Sequence, residues 1–303
     1  MGLLFLRSRY LCRMFYASNL LPAVKTALVS RLSEYYPPRE AESMVNLLIR
    51  HYLGMTRVDQ QLYREKRLSE SEMLRFHRAM KRLMLYEPVQ YVLGTTEFYG
   101  LTLKVGPQVL IPRPETEQLV DLIVKEHLPY PCNVLDVGTG SGCIALAIKQ
   151  ARKEWQVTGV DVSPEALALA RKNAEETGLS VVFKQCNILD TATCRQIVPG
   201  TFQVVVSNPP YVLEREKNKM ADNVLKYEPS RALFVPDDDP LLFYRKIKDF
   251  AAFALQPGGL LFFELNEQQA GETARLFLSP YYRKPRLIAD FRGKERFLRV
   301  QKR

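Results

Sequence analysis

Residues 134–142 read VLDVGTGSG, and the fold turns on how that stretch is parsed. Val134 to Val137 is an apolar run of strand length. Gly138, Gly140 and Gly142 then admit backbone conformations that side chains resist, and CIALAIKQA over 143–151 has helical spacing. The same alternation continues downstream, with strands predicted over 156–161, 181–185 and 202–207 and a helix over 164–177. Beyond these come a helix over 240–255, a strand over 260–264, a helix over 267–279 and two closing strands near Leu287 and Phe297. Strands alternating with helices of this length predict a parallel, doubly wound α/β sheet.

The glycine spacing is GxGxG, and Cys143 stands where the dinucleotide fingerprint GxGxxG has its third glycine. A pyrophosphate site is therefore disfavoured, and no lysine follows the loop to serve a nucleotide triphosphate. Glycine turns also occur for purely structural reasons, so a second feature is needed. Asp161 supplies it: about 20 residues downstream, at the end of the next strand, a carboxylate can accept hydrogen bonds from ribose hydroxyls. Its competing role, capping the helix that begins at Pro164, falls more naturally to Ser163. A nucleoside ligand without phosphates fits best, and S-adenosylmethionine has that form, with a sulfonium that tolerates Asp136 nearby.

Asn208, Pro209, Pro210 and Tyr211 follow the apolar run 204–206, which puts an NPPY tetrapeptide at the carboxyl end of a strand, where open α/β sheets bind ligands. The Asn208 side-chain oxygen and the Pro209 carbonyl can accept both hydrogens of one planar amino group. The prolines stiffen the loop and remove competing N–H donors, and the Tyr211 ring offers a stacking face. Read alone, the tetrapeptide admits an amide, an exocyclic base amine or a plain proline turn. Glu264 also ends a strand; a functional role and simple pairing with a neighbour both remain open. Asp237, Asp238 and Asp239 read as a solvated helix entry.

The whole chain has 303 residues, enough for a domain of about 200 residues and a smaller companion. Its 43 basic and 33 acidic residues give a formal charge of +10. Half of that excess precedes the first acid, Glu34, in Arg7, Arg9, Arg13, Lys25 and Arg31. Most of the rest lies between Arg283 and Arg303, a face that either meets RNA or an RNA-bound protein or is simply solvated.

The opening stretch is apolar, carries arginines and no acids, and resembles a mitochondrial transit peptide over residues 1–20, which implies a matrix location. No later stretch has the 18 or more uninterrupted apolar residues of a membrane-spanning helix, so no membrane association is expected. Cys12, Cys132, Cys143, Cys186 and Cys194 are odd in number and lack a CxxC pair, so reduced thiols are expected rather than disulfides or zinc. His51, His77 and His127 are scattered, and no metal site is expected.

Between the leader and the α/β pattern, helices are predicted over 21–36, 38–53 and 69–86, the third opened by a Ser69/Glu72 capping box. Met73, Phe76, Met80, Leu83 and Met84 form a core-type stripe on it. These make a helical bundle over 21–87, whose expected role is to grip a macromolecular substrate. From Gln90 to Leu110 short β segments are predicted, marked by Leu101, Leu103 and Val105 and the turn residues Gly94, Gly100 and Gly106. This gives a β-hairpin linker over 88–111, a helix over 115–126, and a catalytic domain over 112–303.

With these residues in view, the chain resembles the HemK/PrmC family of peptide chain release factor glutamine methyltransferases. The resemblance runs from about Glu87 to Arg299. It rests on PVQYVLGTTEF at 88–98, LIPRPETE at 110–117, DVGTGSG at 136–142, VSNPPY at 206–211 and YEPSRAL at 227–233, where Tyr227 replaces the usual phenylalanine.

The resemblance implies a seven-stranded, Rossmann-like S-adenosylmethionine-dependent methyltransferase domain. It also implies methyl transfer to the side-chain amide of the glutamine in the Gly-Gly-Gln motif of class I release factors. Gly138, Thr139, Gly140, Ser141, Gly142, Asp161 and Asn208 would hold the cofactor. Asn187 and Ile188 would flank the adenine, where the family often has aspartate-tryptophan. Asn208 and Pro209 would be catalytic, and Asn208 to Tyr211 would bind the glutamine. With the leader, the resemblance suggests a mitochondrial member, expected to be monomeric and without stable nucleic-acid binding.

Two rivals share NPPY. Ribosomal-protein glutamine methyltransferases typically follow LIPR with SP rather than the PETE found at 114–117. DNA adenine methyltransferases need a target-reading domain and a broad basic surface. A non-catalytic ribosome-associated factor would be expected to have eroded the glycine loop or NPPY, and both are intact.

Overall fold

In a computed structural model, which describes residues 18–128, 132–198 and 200–303, the chain forms two compact units, one ending at Leu93 and one running Gly94–Arg303. All but the last three residues of the predicted leader lie outside the described residues.

The first unit is helical: Leu21–Leu32, Pro38–Leu53, Arg57–Leu62, Glu70–Leu83 and Val89–Leu93. Its core is apolar, with Val24, Leu32, Val45, Leu48, Phe76 and Leu83 fully buried. The predicted capping box forms, since Ser69 N donates to Glu72 Oε2 at 2.7 Å and Glu72 N to Ser69 Oγ at 3.3 Å. The Met73, Phe76, Met80 and Leu83 stripe is buried against the other helices.

Two parts of this unit differ from the expectation. Arg57–Leu62 is an additional helix; its polar sequence hides it, although Thr56 and Asp59 make a second capping box. Val89–Leu93 is helical rather than the start of the β segments, because Val89 and Val92 bury themselves in the helical core, so the β pattern begins only at Thr95.

The second unit opens with the hairpin β1 (Thr95–Phe98) and β2 (Leu101–Lys104), then the helix Pro114–Val124. The strands that follow are β3 (Asn133–Val137), β4 (Gln156–Asp161), β5 (Val182–Gln185), β6 (Phe202–Ser207), the short β7 (Val212–Leu213) and β8 (Phe234–Val235), β9 (Leu255–Glu264), β10 (Arg286–Ala289) and β11 (Glu295–Gln301). All of these except β7 and β8 form one seven-stranded sheet. Its order is β10-β11-β9-β6-β3-β4-β5, parallel from β9 to β5, with β10 and β11 antiparallel at one edge. Apolar clusters lie on both faces, one around Leu119, Ile144, Leu167 and Phe262, the other around Leu135, Tyr244, Phe250 and Phe263. Burial on both faces explains the nearly continuous apolar runs of the central strands.

β7 and β8 pair in parallel and hold the ends of an excursion that contains the helix Asp222–Tyr227. Between β5 and β6 runs another unforeseen helix, Thr191–Ile197, capped by Asp190. The expected helix over 267–279 is shorter, a single 3-10 turn at Glu267–Gln269 continued by Ala270–Arg275.

The chain leaves β3 toward β4 and β5 on one side, and the later strands β6 and β9 lie on the other. The gap between β3 and β6 is thus the point where strand order reverses, the place such sheets use for ligands. Ser207 Oγ donates to the Val137 carbonyl at 2.7 Å and ties the two strand ends together there. Among the described residues no helix is long and apolar enough to cross a membrane.

Candidate functional site

The loop after β3 is shaped by its glycines: φ is +75° at Gly138, +55° at Gly140 and +81° at Gly142. Gly138 N and Thr139 N both donate to the Val160 carbonyl at 2.9 Å, which folds the loop over β4. Asp136 anchors it from below. Its carboxylate is fully buried, accepts the Thr139 hydroxyl at 2.6 Å and lies behind the residues that line the cavity. Burial pushes its carboxyl up to about 7, against the hydrogen bonds from Thr139 and Ala145.

At the end of β4, Asp161 accepts Gly140 N on Oδ2 and Ser163 N on Oδ1, each at 2.9 Å. Ser163 caps the helix Pro164–Thr177 as expected, its Oγ accepting from Ala166 N at 3.2 Å. Asp161 is therefore left free of the capping role and faces the cavity.

That cavity has a volume of about 360 Å³. Gly138, Thr139, Gly140, Ser141, Asp161, Asn187, Ile188 and Asn208 all line it, so eight of the nine residues expected to hold the cofactor converge there. Gly142 does not line it. A Cβ added there would crowd Phe183, Ala170 and Leu146 at 3.1–3.3 Å, so its part is to make the tight turn into the helix. Cys186 also lines the cavity and is joined to Cys194 by a disulfide, contrary to the expectation of reduced thiols. The unforeseen helix Thr191–Ile197 folds back to bring the two α-carbons within 5.5 Å, a return that the spacing does not reveal. Among the described residues no group of three or more His, Cys, Asp or Glu is placed to hold a metal ion.

The NPPY residues follow β6. Asn208 and Pro209 line the larger cavity and also a second one of about 200 Å³, whose wall includes Tyr211, Arg113, Val224 and Leu233. Tyr211 is confined to the second, and Pro210 to the first. Two residues complete the loop's setting: Thr116, which sequence reasoning passed over, and Glu264, whose role it left open. Thr116, in the PETE segment, donates its hydroxyl to Glu264 Oε2 at 2.7 Å and accepts from Asn208 Nδ2 at 3.4 Å. Glu264, at the end of β9, also accepts the Tyr211 hydroxyl at 3.2 Å. Burial and the nearby Glu264 raise the Tyr211 phenol above its ordinary range.

The larger cavity suits a nucleoside. A Cβ placed at Gly138 or Gly140 would meet no atom within 4 Å, so the loop backbone borders open space rather than packed side chains. Asp161 offers acceptors for hydroxyls, and Ile188, Leu189, Phe243 and Ile247 give apolar cover for a flat base. This is the construction of an S-adenosylmethionine-dependent methyltransferase.

Comparison with known proteins agrees. Residues 131–251 match the model of a methyltransferase domain, and residues 26–94 match that of the PrmC N-terminal domain. A release factor glutamine methyltransferase of Bacteroides thetaiotaomicron is 43% identical over 267 residues, covering 88% of this chain and 95% of that protein. One from Flavobacterium psychrophilum is 39% identical over 280 residues, covering 91% and 97%. Among solved structures, a methyltransferase from Pyrococcus furiosus aligns at 21% identity with a TM-score of 0.49, over 67% of this chain and 89% of that one. The chain belongs to the release factor glutamine methyltransferase family.

Proposed function

We propose that this protein methylates the side-chain amide nitrogen of the glutamine in the Gly-Gly-Gln motif of a class I release factor. The observation that carries the reading is the double placement of Asn208 and Pro209, which form part of the wall of both cavities. A group transfer needs such a shared wall, with donor on one side and acceptor on the other.

When bound, S-adenosylmethionine supplies an electrophilic methyl group on a positively charged sulfur. An amide nitrogen is a weak nucleophile because its lone pair is delocalised into the carbonyl. The Asn208 side-chain oxygen and the Pro209 carbonyl accept its two hydrogens, fix its direction and stabilise the positive charge that develops on it. One of those protons passes to water once the N–C bond is made and the sulfur–carbon bond is broken. Tyr211 walls the acceptor cavity and presents its ring to the flat amide. The helical unit ending at Leu93 serves recognition of the release factor.

The apolar, arginine-bearing and acid-free leader supports a mitochondrial address, and a mitochondrial release factor as substrate. The relatives described above are bacterial. A reporter fused to residues 1–20 that stays out of the matrix would remove this part of the reading.

The test of the activity mixes purified protein, S-adenosylmethionine and a release factor, and looks by mass spectrometry for one methyl on the Gly-Gly-Gln glutamine. No added methyl sinks the proposal; if a parallel reaction with ribosomal protein in place of the release factor gains a glutamine methyl instead, the reading moves to the sister activity. Asn208→Ala is expected to lower kcat by about 10² or more, with a much smaller loss of affinity for S-adenosylhomocysteine, since Asn208 also borders the donor cavity.

A further inference from the structure

The end of β9 delivers Glu264 beneath the NPPY loop at 2% exposure. Both of its oxygens are engaged, Oε2 by the Thr116 hydroxyl and Oε1 by the Tyr211 hydroxyl. An ionised carboxylate only accepts, so Thr116 spends its single proton on Glu264. What Thr116 then shows to Asn208 is a lone pair. Asn208 meets it with its amino group, Nδ2 lying 3.4 Å away, and Oδ1 is turned elsewhere. The opposite orientation would set two oxygen lone pairs against each other, with no proton between them.

We propose that Glu264 and Thr116 are positioning residues that orient the Asn208 carboxamide so that its oxygen, and not its nitrogen, meets the substrate amide. This rests on the reading of Asn208 to Tyr211 as an amide clamp. The pairing uses polarity, which a purely mechanical brace would not need. An apolar pair of the same shape would support the loop equally well, without the cost of a buried carboxylate, but would leave the carboxamide free to turn over.

The relay also gives the clamp a pH dependence. Burial holds the Glu264 carboxyl above the usual range; hydrogen bonds from Thr116 and Tyr211 and the charge of Arg296 oppose this, and Glu115 adds to it. Cys143 and Tyr244 are the other titratable groups facing it. Once protonated, Glu264 becomes a donor to Thr116, whose own proton is then released toward Asn208 and favours the reversed carboxamide. Turnover is therefore expected to fall as pH drops through the Glu264 titration.

The experiment compares Thr116→Val, Thr116→Ser, Glu264→Gln and Asn208→Ala in the full chain, measuring kcat, KM, the pH profile and affinity for S-adenosylhomocysteine. Thr116→Val is expected to lower kcat about 10- to 100-fold, with that affinity within about two-fold of the parent, and Thr116→Ser to restore most of the rate. Added to Asn208→Ala, Thr116→Val is expected to cost nothing further, because it acts through that residue. Glu264→Gln is expected to abolish the acidic limb of the pH profile.

Parental kcat in Thr116→Val, with Asn208→Ala inactive, would overturn the relay alone; parental kcat in Asn208→Ala would overturn the clamp reading beneath it. An acidic limb that survives Glu264→Gln overturns the relay too. If ligand affinity falls in step with kcat in Thr116→Val, or if Thr116→Ser fails to rescue, the two residues are structural and the proposal is wrong.

Discussion

Arg113 Nη2 lies 2.6 Å from Oε1 of Glu228, a residue 115 positions further along the chain. The Glu228 side chain is almost fully buried, and its other oxygen accepts the Ile111 backbone N–H at 3.1 Å. Glu228 directly follows the helix Asp222–Tyr227, so this one carboxylate fastens the excursion between β7 and β8 to the segment that precedes Pro114. Both pieces wall the smaller cavity, through Leu110 and Arg113 on one side and Val224 and Leu233 on the other.

Removing this carboxylate is predicted to affect the acceptor side more than the donor side: Leu110, Arg113 and Ala232 border both cavities, but Met220, Val224 and Leu233 of the excursion border only the smaller one. Glu228→Ala strands the Ile111 N–H and the Arg113 charge, at a cost of about 1–3 kcal/mol, since Arg113 keeps access to water. KM for the release factor is expected to rise more than KM for S-adenosylmethionine. Urea melts and steady-state kinetics check both halves. Equal changes in the two KM values would mean that the excursion does not shape the acceptor cavity.

Much of this architecture is legible in the sequence because its signals are local. The strands Asn133–Val137, Gln156–Asp161 and Phe202–Ser207 and the helices Cys143–Ala151 and Pro164–Thr177 appear with the expected bounds. Each is an apolar run or helical stripe bounded by glycine, proline or a capping serine. What escapes is either polar and short, like Arg57–Leu62 and Thr191–Ile197, or depends on distant partners. Val89–Leu93 looks extended until the helical core that buries it is known. Thr116 and Glu264 are 148 residues apart, and neither carries a motif that announces the other. The Asn208 loop is readable as chemistry, but the residues that touch it come from the neighbouring strand β9 and the distant helix Pro114–Val124.

Asp136 should leave a signature in the pH dependence of stability. Its carboxyl titrates near 7 in the fold, raised chiefly by burial, against an ordinary value of 3.8. The folded protein thus holds this proton more tightly than the unfolded chain does. The stabilisation is fully present below the unfolded value and is lost as pH rises through about 7. The loss is at most about 4 kcal/mol between these limits. Asp136→Asn keeps an acceptor for the Thr139 hydroxyl and removes the titration, so its unfolding free energy, measured in urea without ligand, is expected to vary less from pH 4 to pH 8. An unchanged dependence in the variant would show that Asp136 titrates alike in both states.

Gly140 separates backbone strain from ligand contact. At φ +55°, with no atom within 4 Å of the place a Cβ would take, Gly140→Ala meets no protein atom but enters an unfavourable backbone region and projects a methyl where the ligand is expected. Gly178, which caps the helix Pro164–Thr177 at φ +68° with equally open space, carries the same backbone demand away from the cavity. Both substitutions are therefore expected to cost about 1–2 kcal/mol of stability. Only Gly140→Ala is expected to weaken S-adenosylhomocysteine binding, by about ten-fold or more, equivalent to at least about 1.4 kcal/mol. Calorimetric titration of the two variants side by side decides the matter: equal affinities would place the ligand away from the loop, whereas a loss confined to Gly140→Ala puts the loop backbone against it.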